Sequence, residues 1–137
     1  MKGFRNTSRS RQRGQAMVEF LISAILLMTT IFAVVQMIVY IYTYVSMAEA
    51  AKGGVRYAIV HGSNSGTPSG PGNTTNVENA VKFYADYPGM TITVTYPDGT
   101  NAPPNNVRVV LTYPFSLFAL GWDLPSVEAA AQGRILF

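Results

Sequence analysis

An α+β protein built on a membrane-length N-terminal helix is the fold class that the sequence predicts. Three observations carry it. Between Glu19 and Glu49 lie 29 residues without a charge, Phe20 to Ala48. Thr91–Tyr96 and Ser126–Phe137 alternate apolar with polar residues, the two-residue period of half-buried strands, and Val107–Tyr113 supplies a strand between them. In Asn76–Asp86, by contrast, Val77, Ala80, Val81 and Tyr84 recur at helical spacing.

The uncharged stretch amounts to about 43 Å of helix at 1.5 Å per residue, more than the roughly 30 Å of a hydrocarbon core. No proline or glycine interrupts it. Ser23, Thr29, Thr30 and Gln36 are tolerable there because they can bond their own backbone or a neighbouring helix. Tyr40, Tyr42 and Tyr44 cluster near the far end, where aromatic rings favour the membrane–water interface. An apolar segment of this length is about twice that of a cleavable secretory signal, so removal at Ala48-Glu49-Ala50 is not expected.

The helix is expected to continue past the membrane to about Val60. Tyr44, Met47, Ala48, Ala51, Val55, Ala58 and Ile59 form one apolar stripe, and Glu49, Lys52 and Arg56 fall on another. Gly53-Gly54 weakens this stretch by about 1 kcal/mol per glycine relative to alanine. His61 at the helix end reads as a capping residue rather than a catalytic one.

From His61 to Asn76, Gly, Pro, Ser, Thr and Asn predominate, the composition of a flexible connector. Asn76 can then cap the short helix, Val77, Ala80, Val81 and Tyr84 giving its buried face. Pro97-Asp98-Gly99 and Asn101–Asn106 join the first two strands, which form a hairpin. Along the third strand Val127, Ala129, Ala131, Ile135 and Phe137 point inward, closing a three-stranded antiparallel sheet. Pro114–Pro125 forms an apolar loop holding Phe115, Phe118, Leu120 and Trp122. It covers a core or serves as a contact surface. The head is small for a self-sufficient core without disulfides, so its sheet is expected to pack on the extracytoplasmic part of the helix.

Charge separates the N-terminus from the rest. Five of the ten Lys/Arg residues (Lys2, Arg5, Arg9, Arg11, Arg13) precede Gly14, with no acid among them. Removing residues 1–14 would take the formal charge from +3 to −2, so the basic character belongs to the leader. A basic run beside an apolar span is a topology signal that keeps the N-terminus cytoplasmic and sends the C-terminal part across. The remaining cations are scattered, which argues against a nucleic-acid-binding face.

Chemical motifs are missing. There is no cysteine and one histidine, which argues against a disulfide scaffold and a zinc or iron site. No Walker loop, HExxH, GxSxG or paired-carboxylate arrangement occurs. Asp86, Asp98 and Asp123 sit singly at turns, where aspartate caps backbone groups. No catalytic, metal-binding or cofactor-binding residues are expected, and the chain is not read as an enzyme.

Glu19 is the exception that asks for a purpose. A charge at mid-bilayer depth costs on the order of 2.5 kcal/mol or more, less near the interface. The residues alone leave two readings open: a carboxylate solvated among headgroups, or a contact between subunits.

The order of parts, a basic leader ending in glycine, a long helix with one acid near its start and a small head, resembles type IV pilins and pseudopilins. Arg13-Gly14-Gln15-Ala16-Met17-Val18-Glu19-Phe20 is similar to the start of TadE-like pseudopilins of the tight-adherence (Flp-type) pilus. Ala48–Ala58, with its Gly54-Val55-Arg56-Tyr57-Ala58 ending, is similar to that family's small-residue segment, and Thr112-Tyr113-Pro114-Phe115 is similar more loosely. Phe20 departs from the tyrosine that follows the glutamate in Flp-type pilins.

The resemblance implies a cut by a prepilin peptidase between Gly14 and Gln15, making Glu19 the fifth residue of the mature chain. Glu19 and Phe20 then become assembly contacts, the Glu19 carboxylate pairing with the new ammonium of a neighbouring subunit's Gln15. It further implies a minor pilin or pseudopilin whose partners are the peptidase, other pilins, the inner-membrane assembly machinery and lipid. The domain plan is a leader over 1–14, a helix over 15–61 that spans the membrane at about 20–45, a connector over 62–76 and an extracytoplasmic head over 77–137. Its competitor is an unprocessed, signal-anchored single-span protein whose head binds an envelope partner.

Overall fold

The computed structural model describes the backbone of residues 7–116 and 125–137, and their side chains from Gly14 onward. The element order is α1 (Thr7–Val60), α2 (Thr75–Tyr84), β1 (Thr91–Thr95), β2 (Asn106–Tyr113) and β3 (Val127–Arg134). The fold is α+β, as the periodicities predict. The chain divides into two compact units, residues 1–38 and residues 39–137.

The first unit is helix. From Gly14 to Ile38 its side chains are exposed, apart from the half-buried Ala24 and Gln36. Thr29 and Thr30 donate their hydroxyls to the carbonyls of Ile25 and Leu26, at 2.8 and 2.9 Å. These bonds satisfy within the helix the polar groups that an apolar surrounding would penalise. The helix begins at Thr7, upstream of the start expected at Gln15.

The second unit holds the head. Its sheet has the order β1-β2-β3, antiparallel throughout, with Val94 opposite Val109 and Val109 opposite Ala131. Val107, Val109, Leu111, Val127 and Ala129 are buried on one face. They share a core with Met47, Ala50, Ala51, Val55 and Ala58 of α1 and with Val77 and Val81 of α2. The expected packing of the sheet on the later part of the helix is what the structure has. Of the predicted stripe, Met47, Ala51, Val55 and Ala58 are buried and Ala48 and Ile59 half-buried, whereas Tyr44 is exposed.

Small residues set how closely these elements approach. A Cβ on Gly54 would lie 2.5 Å from Cγ2 of Val81, and one on Gly53 2.5 Å from the ring of Tyr84. The pair therefore lets α1 receive α2 rather than merely weakening the helix. Gly133 on β3 is the reciprocal case, facing Ile59 and Val55.

Three local expectations are corrected. Thr74, not Asn76, occupies the N-cap of α2, and its hydroxyl bonds Glu78 at 2.6 Å. Tyr84 is 55% exposed because its ring lies over the surface at Gly53, and Ala85 takes the buried place. Phe137 is 57% exposed: β3 ends at Arg134, and the strand alternation lapses after Ile135.

The end of α1 is capped by distant parts of the head. The last carbonyls of a helix lack intrahelical donors. Here the Leu136 amide donates to the Ile59 carbonyl at 3.1 Å, and the Ser69 amide and hydroxyl both donate to the carbonyl of His61. His61 does cap: its Nδ1 bonds the Tyr57 carbonyl at 2.8 Å, which requires the proton on Nδ1, while its ring stacks on Tyr57. Asn101 ties the Ser69 carbonyl at 2.9 Å and accepts the Ser63 amide at its own carbonyl. The connector thus carries fixed contacts that its composition does not announce. Asp98 accepts the Asn106 amide at 2.8 Å, closing the β1–β2 loop in the capping role expected of it. Phe118, Leu120, Trp122 and Asp123 lie outside the described residues.

Candidate functional site: the start of the long helix

The four residues singled out by the sequence, Gly14, Gln15, Glu19 and Phe20, all lie on α1. Gln15 and Glu19 stand four residues apart, one turn of helix, so they share a face. Gly14, Gln15, Val18, Glu19, Ile22 and Ser23 together line a shallow concavity on that face. Phe20 lies outside this set, the next residue round the helix, and is 71% exposed. The described structure therefore gathers three of the four and leaves the fourth aside.

Gly14 differs from the glycines of the head. A Cβ placed on it would meet nothing within 4 Å, so no packing within the chain requires glycine there. Glycine costs about 1 kcal/mol relative to alanine inside a helix, so the helix is easier to open locally at Gly14 than it would be at an alanine.

Glu19 is exposed, one residue before the uncharged stretch. Within one chain its carboxylate stands beside Gln15 and Ser23, with no cation among the residues lining the concavity. What this arrangement offers is an exposed acid at the edge of an apolar surface.

Residues 14–56 match the family model of TadE-like proteins. Over that stretch the chain is TadE-like. The matched segment opens on Gly14, includes Gln15, Glu19 and Phe20, and closes on Arg56, so it lies within the long helix and stops before the sheet. No curated protein and no solved structure matches the chain. Among the described residues one helix is long and apolar enough to cross a membrane, which together with the family match supports a single-pass membrane protein.

Proposed function

We propose that this TadE-like chain is a minor pilin or pseudopilin, processed by a prepilin peptidase between Gly14 and Gln15 and taking part in assembly of a Tad-type pilus. The observation that supports this most is the shared, outward-facing surface of Gly14, Gln15 and Glu19 at the beginning of the apolar helix. Its role is structural, and no residue is assigned to catalysis.

In this reading residues 1–14 are a leader that keeps the N-terminus cytoplasmic, and the head is extracytoplasmic. Cleavage creates an α-amino group at Gln15 near the membrane boundary. Two poorly solvated charges of opposite sign then offset one another when the Glu19 carboxylate of one subunit meets the Gln15 ammonium of the next. Because one pair of groups must meet, the pairing fixes the axial register of neighbouring helices. Phe20, beside Glu19 and directed elsewhere, adds apolar contact to a neighbouring helix or to lipid. The head then meets other components of the pilus or of its assembly platform.

Co-expression with the peptidase followed by N-terminal sequencing tests the first step. A mature chain beginning at Gln15 is expected. An intact leader in the presence of active peptidase overturns the proposal and leaves a signal-anchored protein. Glu19→Ala should abolish incorporation into pili while leaving membrane insertion and cleavage intact.

A further inference from the structure

Among the described residues no large apolar side chain is more exposed than Phe83, at 84%. Its ring meets Tyr84 edge-on, with centroids 5.4 Å apart. Together with the exposed Asn76 and Asn79 the pair forms one wall of a shallow groove between α2 and the last turns of α1. The opposite wall carries the exposed Arg56 and Val60. Arg56 is the one charged side chain lining the groove, and it makes no ion pair among the described residues. Exposed aromatic rings beside an arginine, with no lysine or acid between them, are the composition of an interface centre rather than of a solvated surface.

The complement of this groove lies earlier on the same helix. Tyr42, Val45 and Glu49 are exposed and recur at spacings of three and four, so they share one stripe. Lys52 engages only Oε1 of Glu49, at 2.9 Å, and no hydrogen bond reaches Oε2 among the described residues. One chain therefore carries an apolar groove with a cation and an apolar stripe with an acid, which match between copies. Copies that cross one membrane in the same sense have parallel helices. In register, Glu49 would face Glu49 and Arg56 would face Arg56, and like charges repel. Arg56 stands seven residues after Glu49. A stagger of two helical turns, about 10.5 Å, keeps the facing sides and sets the unlike charges level.

We propose that the groove between α1 and α2 receives the Tyr42–Val45–Glu49 stripe of a second copy of this chain, staggered by two helical turns. Phe83 and Tyr84 of one copy then lose water against Val45 and Tyr42 of the other. Arg56 pairs with the second copy's Glu49 through the oxygen that Lys52 leaves open. Burial of the aromatic surface supplies the affinity, and the ion pair selects the stagger. The contact joins two different patches, so it is heterologous and does not close on itself. It rests on copies crossing one membrane in a common orientation, and on neither leader cleavage nor the Glu19 contact.

The chain has no cysteine, so introduced thiols report contacts without background. One full-length copy carries Val45→Cys and a second, differently tagged copy carries Tyr84→Cys or Phe83→Cys. The two are reconstituted together in phosphatidylcholine vesicles and mildly oxidised. Mixed disulfides at both groove positions should exceed several-fold those formed with Glu128→Cys, an exposed site on the outer face of the sheet. Arg56→Glu in the copy bearing the groove thiol should lower the yield to that control, and Glu49→Arg in the other copy should restore it. Two groove reporters guard against one variant failing to fold. Yields at both no greater than the Glu128→Cys control overturn the proposal, as does a yield that Arg56→Glu leaves unchanged. So does protection of Phe83→Cys from a water-soluble maleimide that persists when the protein is diluted in lipid, since lipid would then cover the groove.

Discussion

Residues 14–38 and residues 39–60 belong to one helix, yet they bury opposite amounts of surface. The first stretch is dominated by Leu, Ile, Met, Phe and Val, and nearly all of it is exposed. In the second, Met47, Ala50, Ala51, Gly53, Gly54, Val55 and Ala58 are buried against the head. Hydrophobicity alone does not separate them. Side-chain size does: alanine and glycine let a sheet and a second helix come close, whereas large branched side chains face outward, where only lipid or another helix can cover them.

Truncation at one site in each half tests this contrast most strongly. Met47 is fully buried in the core of the head. Met47→Ala should cost about 2–5 kcal/mol in stability of the head, from lost transfer energy and a residual cavity. Leu26→Ala removes a larger amount of apolar surface from water-accessible helix but leaves no cavity, and should change the head's stability by under about 0.5 kcal/mol. Chemical denaturation of the full chain in detergent, followed by near-ultraviolet signals of the head's tyrosines, reads both. Equal losses would mean that the two units unfold together.

Glycine substitution gives a smaller, sharper contrast. Gly54→Ala gains about 1 kcal/mol of helix propensity. Its new Cβ, however, meets the short, stiff and buried side chain of Val81, an overpacking worth about 1–3 kcal/mol. A net loss of about 1 kcal/mol is expected in the same denaturation experiment. Gly14→Ala meets no atom, so it should leave folding unchanged and instead slow or prevent removal of the leader, read by N-terminal sequencing. If Gly14→Ala were cleaved normally, glycine at that position would have no role in recognition.

The same distinction explains what could be read in advance. Long periodic segments were legible: the uncharged helix, the alternating strands, and the helical spacing of Val77 and Val81. Closeness was not. Ala50, Gly53 and Gly54 look like spacers in a hydrophobicity pattern, and only the position of Val81 and Tyr84 shows that they are contact sites. Tyr84 and Phe137 fit an apolar pattern but sit at element ends, where the period lapses. The bonds from Ser69 and Leu136 to the end of α1 join residues distant in sequence, which no local pattern encodes. At the candidate site, the residue types and spacing were visible throughout, since a regular helix converts a four-residue separation directly into a shared face. The groove that joins Arg56 to Phe83 and Tyr84 was not, because it depends on where α2 meets the long helix.

The smallest expected effect concerns the solvent stripe of the head-bearing half. Lys52 Nζ lies 2.9 Å from Glu49 Oε1. That hydrogen bond, and next the lysine's charge, hold the Glu49 carboxyl below its ordinary value of 4.5. A depressed carboxylate contributes stability that is fully present above the unfolded value and is lost as pH falls through the folded one. Both partners are exposed, so salt and water screen the pair and its contribution to folding is slight. Lys52→Met should therefore return the Glu49 titration midpoint toward 4.5, measured by carboxyl carbon NMR, and leave the denaturation curve almost unmoved at neutral pH. A marked loss of stability instead would show that Lys52 packs its stem against the head, making even the polar stripe of this half part of the contact that residues 14–38 lack.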